Sequence, residues 1–179
     1  MRASSNSNYL IQGIEVLLQE DLILKCYVPL IPFAHQLVQA LLKRGCMTKD
    51  DCLALSDESL YDAGLPTGMA GLFRRFLLLY DYKGKGLKDI PEAAHRPEEE
   101  IAALLELMRL PGVKAIRAQL YYHCGIKSLG DFASADAEAL RMHIADITTR
   151  DALPFSPPLP RELRTQIAVA KVFTEYAVK

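Results

Sequence analysis

The 179-residue chain has no tryptophan and only four cysteines, Cys26, Cys46, Cys52 and Cys124, and no Cys-x-x-Cys pair. That density is too low for the disulfide framework of a small secreted scaffold. With no segment that reads as a signal peptide, reduced and mostly buried thiols in a cytoplasmic protein are the expectation. A one-sided charge is missing too. Lys and Arg number 21 against 22 Asp and Glu, for a net charge of −1. A non-specific DNA coat protein is basic, so nucleic-acid contact here has to rest on a local patch. Long apolar runs are also lacking. Gln19, Glu20, Asp21 and Lys25 break up the apolar residues between 16 and 24. Nothing approaches the roughly 20 residues that span a bilayer.

Catalytic signatures are lacking as well. Gly84 and Gly86 are not followed by Gly-Lys-Ser/Thr, so they form no P-loop. Ser, Thr and Cys occur without a nucleophile elbow. Of the four histidines, His35, His95, His123 and His143, only His123 adjoins a cysteine, and no second ligand pair lies at zinc-finger spacing from it. The Glu98-Glu99-Glu100 run reads as a solvated helix start. The expectation is a protein without enzymatic activity, metal or cofactor.

What is present points to helix. Half of the residues are apolar, enough for a core. Leu and Ala dominate, and β-branched runs are few. The spacing predicts helices over 9–18, 33–44 and 68–82, with short ones capped by Thr48 and Ser56. Gly45 and Gly64 mark stops. The stretch 21–28 reads equally as helix or extended chain. Residues 83–96, with two glycines and several charges, read as a linker or surface loop between an N-terminal module, 1–82, and a C-terminal one, 97–179. In the second module a helix opens at Pro97 and a second covers 113–124, stopped by Gly125. Ser128 and Asp136 cap two further short helices. Prolines 154, 157, 158 and 160 mark an irregular crossing before a last helix over 161–177.

The most telling run is Leu110-Pro111-Gly112-Val113-Lys114-Ala115-Ile116-Arg117. An apolar helix stops at Pro-Gly and another begins at once. First-turn N–H groups have no intrahelical partner and lie at the positive end of the helix dipole, so such a point attracts phosphate. Over residues 106–140 the chain resembles the helix-hairpin-helix family, whose hairpin reads apolar-x-Gly-apolar-Gly. Leu110, Gly112 and Val113 fit, Ala115 or Ala118 serves at the helix crossing, and Lys114 replaces the second glycine. The resemblance implies sequence-independent nucleic-acid binding through Gly112, Val113, Lys114 and Arg117, with Lys127 nearby. A Cβ at Lys114 obstructs close phosphate approach, while its ammonium adds attraction. Tyr121 and Tyr122 are of a type that stacks bases, although packing is the commoner role of such residues.

A second candidate hairpin spans 65–70 and precedes Arg74 and Arg75. Residues 56–79 resemble the last two helices of a SAM-like domain, which implies protein association or oligomerisation instead. Met69, Leu72, Phe73, Phe76 and Leu77 read more simply as a core stripe. An ungapped shift of 80 residues pairs Gln39 with Gln119, Gly45 with Gly125, Thr48 with Ser128, Asp51 with Asp131, Glu58 with Glu138 and Leu60 with Leu140. The expectation is an all-α protein of two SAM-like or helix-hairpin-helix modules related as an internal repeat. Nucleic-acid binding is the first functional expectation and protein interaction the alternative.

Overall fold

Apolar side chains that recur three and four residues apart share one face of a helix, and that face must be buried. The computed structural model describes residues 8–19, 25–81 and 85–178. Among them the chain forms ten α-helices, and its only β pairing is isolated bridges, Tyr9 with Ala177 and Leu10 with Thr48. No described helix is long and apolar enough to cross a membrane. The protein is all-α, as its composition predicts.

In the first half the helices are α1 (Gly13–Gln19), α2 (Ala34–Lys43), α3 (Lys49–Leu53), α4 (Asp57–Asp62) and α5 (Ala70–Leu77). The helix expected over 9–18 starts later, because the backbones of Tyr9 and Leu10 are committed to the bridges. Residues 21–24 of the ambiguous stretch 21–28 lie outside the described residues. Lys25–Phe33 is a 3-10 helix with Pro29 and Pro32 inside it. The helix expected over 68–82 is only eight residues long and ends at Leu77. Lys49 is almost wholly buried and bonds Asp81, which ties α3 to the end of this half.

The second half contains α6 (Glu98–Leu107), α7 (Ala115–His123), α8 (Leu129–Ser134), α9 (Ala137–Arg150) and α10 (Pro160–Glu175). Pro97 sits at the cap of α6, one residue before its first turn. Against expectation α9 is not short but runs for 14 residues. The six consecutive residues 165–170 of α10 are all buried, so this helix is covered on every side. It packs most extensively on α8, and also on α9 and α1. The contact with α1 depends on Gly13, where an added Cβ would lie 3.0 Å from Val172 and 3.1 Å from Tyr9. One apolar core therefore runs from Tyr9 through to Phe173, shared by both halves.

The expected linker, 83–96, is described from residue 85 on. It makes two 3-10 turns, Leu87–Asp89 and Ala93–His95, and buries Ile90 against the core. It is a strap fastened to the second half rather than a free tether.

At an offset of 80 residues several hydrogen bonds of the turns recur. Gly45 N–H donates to the Leu42 carbonyl and Cys46 N–H to that of Leu41. Gly125 and Ile126 donate likewise to Tyr122 and Tyr121. The φ angles of Gly45 and Gly125 are +83° and +88°. Met47 and Lys127 N–H donate to Asp51 and Asp131 Oδ2, each at 2.9 Å. Thr48 and Ser128 cap α3 and α8, and Ser56 and Asp136 cap α4 and α9. Beyond residues 60 and 140 the halves diverge, since α4 stops at Asp62 while α9 continues to Arg150.

Candidate nucleic-acid interface

The hairpin is set by how the end of α6 is buried. Leu104, Leu107, Met108 and Leu110 are all within the core, so the chain must turn where Pro111 and Gly112 stand. Gly112 has φ +74°, and an added Cβ there would meet nothing within 4 Å. The left-handed backbone, not lack of space, is what calls for glycine. Val113 is fully buried and anchors the turn. Lys114, the cap of α7, is extended at φ −97° and ψ 173°, which any residue adopts. Lys114 therefore leaves the backbone path unstrained, and places an exposed ammonium-bearing side chain at the helix start.

The hairpin carbonyls are held inward. Lys85 Nζ donates to the carbonyls of Met108 and Val113, at 2.5 and 2.6 Å. Burial pushes the Lys85 ammonium below its ordinary pKa, opposed by Asp89 and aided by Lys114. From the other side Gln166 Nε2 donates to the Pro111 carbonyl at 3.0 Å, and its Oε1 accepts from the Tyr121 hydroxyl at 2.7 Å. Gln166 is wholly buried. Its only sequence signal was a polar residue in the middle of an otherwise apolar helix face, and Lys85 gave no signal at all.

Amides at the start of α7 complete the picture. The first intrahelical bond there runs from Ala118 N–H to the Lys114 carbonyl, at 2.9 Å. The N–H groups of Ala115, Ile116 and Arg117 thus have no partner within the helix, and Lys114 offers no side-chain cap. The expectation that Val113 contributes an open amide is corrected. Its N–H donates to the Leu110 carbonyl at 3.2 Å and its side chain is buried. The amides without a helical partner sit two to four residues further on, at the buried Ala115, the exposed Ile116 and the half-buried Arg117.

Arg117 is half-buried, and its Nη1 donates to the Ser156 carbonyl at 2.9 Å. It therefore holds down the crossing of residues 151–159, while the fork keeps further N–H donors. Lys127 lies past the far end of α7, exposed, with Nζ 5.6 Å from the centre of the Tyr122 ring. Gly112, Lys114 and Arg117 come together at one end of the helix. Lys127 belongs to the other.

Two surface grooves flank α7. One, of about 410 Å³, is lined by Gly112, Lys114, Ile116, Arg117, Leu120 and residues 154–156. The other, of about 600 Å³, includes Arg96, Glu100, Gln119, Tyr122, His123 and Lys127, and shares Leu120 and Phe155 with the first. The crossing that carries Phe155 is fixed at its start by Asp151, which accepts from Arg150 and bonds His123 Nε2 at 2.8 Å. The Arg150 guanidinium, and then His123, hold the Asp151 carboxyl well below the usual carboxylate range.

The remaining candidates have structural duties. Tyr121 is buried edge-on against Phe132 and so packs rather than stacks bases. In the 65–70 turn Gly68 N–H donates to the Tyr61 hydroxyl at 3.3 Å. Arg74 is spent on Asp57 and the Leu55 carbonyl, and Phe73, Phe76 and Leu77 are core. Among the described residues no group of three or more metal-binding side chains converges. No family model, curated protein or solved structure matches the chain.

Proposed function

We propose that the chain is a non-enzymatic binding protein that holds nucleic-acid phosphates at the start of α7, without regard to base sequence. The observation that carries this reading is the smaller groove. It joins Lys114, Arg117 and the glycine turn with Ile116 in the first turn of α7, whose amides have no partner within the helix, and no acidic side chain lines it. Amides, dipole and two cations all favour an anion there. With so few cations, affinity belongs to the non-specific range, of order micromolar or weaker at physiological salt. The test is a fluorescence anisotropy titration of wild type and the Lys114→Glu/Arg117→Glu variant against several unrelated duplexes. Uniform loss across sequences is expected, because backbone contacts carry no base information. Loss confined to one sequence, or no binding at low salt, contradicts the proposal.

A second reading, protein association, rests on Ile116. Its side chain is 57% exposed in the first turn of α7, beside Phe155 in the same groove. Under that reading nucleic acid is not bound, and Ile116→Ser shifts the oligomeric state measured by light scattering.

The recurring turn bonds and caps also support reading residues 34–60 and 114–140 as two copies of one helical unit, of helix-hairpin-helix or SAM-like type. Only the second copy suits phosphate. In the first, Pro32 occupies the place of Gly112, and His35 at the helix start bonds Glu15 at 3.1 Å. That carboxylate repels an anion.

A further inference from the structure

Resting on the reading of the hairpin as a phosphate site, we infer that the chain prefers single-stranded to double-stranded nucleic acid, with an unpaired base seated in the larger groove between Tyr122 and Phe155. The two grooves adjoin, with Leu120 and Phe155 lining both. Along the proposed track from one groove to the next, the chemistry changes. At the hairpin end Lys114 and Arg117 stand with no acid among the lining residues. At the far end the polar groups already have partners. Arg96 pairs with Glu100, His123 with Asp151, and Lys127 lies over the Tyr122 ring. Two cations with no acid beside them suit a phosphate, and a wall with two aromatic rings suits a base.

The wall also holds an amide with capacity to spare. Gln119 lines the larger groove, and its Nε2 is buried with no hydrogen-bond partner. Turning that amide toward a seated base gives it an acceptor, since every base edge carries a ring nitrogen or carbonyl oxygen. A groove of about 600 Å³ is within the size range of small-molecule sites. The crossing segment keeps Phe155 in place before any ligand arrives, through Arg117 on the Ser156 carbonyl and His123 on Asp151. A duplex cannot use this part of the track. Its bases are paired and stacked, and extruding one costs energy that a single strand does not spend. Duplex therefore engages only the hairpin end, whereas a single strand engages both.

The test compares three labelled probes of equal length on the full chain: an oligothymidylate, its duplex with oligoadenylate, and an abasic deoxyribose-phosphate strand. Wild type is expected to bind oligothymidylate at least about fivefold more tightly than either of the others, the scale of one aromatic–base stack. Phe155→Leu and Tyr122→Leu keep apolar bulk but remove a ring. Each is expected to bring oligothymidylate toward the level of the abasic strand, with circular dichroism showing the helical fold retained. Equal binding of all three probes by wild type, weakened in common by Lys114→Glu/Arg117→Glu, overturns the base groove and leaves the phosphate reading standing. Absence of binding to every probe at low salt overturns both.

Discussion

At φ +74°, Gly112 holds a backbone conformation that costs other residues about 1–2 kcal/mol. Alanine at this position recovers about 0.4–1 kcal/mol by stiffening the unfolded chain. Gly112→Ala is therefore expected to lower the unfolding free energy by about 1 kcal/mol in urea titrations, although no atom stands in the way of its Cβ. An unchanged midpoint would show that the turn does not depend on left-handed backbone. Gln166 is a stronger case, because it serves both the Pro111 carbonyl and the Tyr121 hydroxyl from a position closed to water. Gln166→Leu keeps roughly the volume and strands the buried Tyr121 hydroxyl and the part-buried Pro111 carbonyl. A loss of about 2–3 kcal/mol is expected in the same measurement, and a loss under about 0.5 kcal/mol would mean that water or a shifted side chain takes over. Gly112 was legible in the sequence because a Pro-Gly stop has one local cause. Gln166 was not, because its partners lie 45 and 55 residues away in the chain.

Caps carry their own local signal, which is why most helix ends were readable. Thr48 and Ser128 accept from the N–H three residues on, and an aspartate at that position returns the bond to the preceding turn. If these are counterparts in two copies of one unit, Thr48→Ala and Ser128→Ala should each cost about 1 kcal/mol, compared by chemical denaturation. A cost at one site alone would speak against equivalence. The lengths of α5 and α9 were less readable. Apolar spacing continues past Leu77, yet the helix ends there. Conversely α9 extends well beyond its cap, because Ile144, Ile147 and Thr148 all find burial. Tertiary packing decided both lengths, and no local signal announces it. The crossing after α9 supplies a pH test. Asp151 has its pKa depressed by Arg150 and His123, so its ionised form favours the folded state. That stabilisation is complete above the unfolded carboxylate pKa near 3.9 and is lost as pH falls below it. Thermal melts from pH 7 down to about 2 are expected to show a shallower acid decline for Asp151→Asn than for wild type. Parallel acid limbs would show that the ion pair contributes nothing.

In the whole molecule, the two halves share one core through α1, α10 and the bridge between Tyr9 and Ala177. The sequence divided the chain at 83–96 because glycine and charge cluster there. Lys85 fastens that segment to the hairpin, a long-range bond that composition does not reveal. The shared core gives the hairpin a base, with its carbonyls bonded by Lys85 and Gln166 next to the groove that Lys114 and Arg117 line. Net charge of −1 means that the molecule as a whole does not draw nucleic acid. Any affinity comes from this patch and must show the salt dependence of a few phosphate contacts. The most direct measurement is the slope of log affinity against log salt for a duplex probe, taken for wild type and for Lys114→Glu/Arg117→Glu. A negative slope for wild type, made shallower by about 2 in the variant, is the predicted result. A flat wild-type slope, or equal slopes for the two proteins, would contradict phosphate binding at the start of α7.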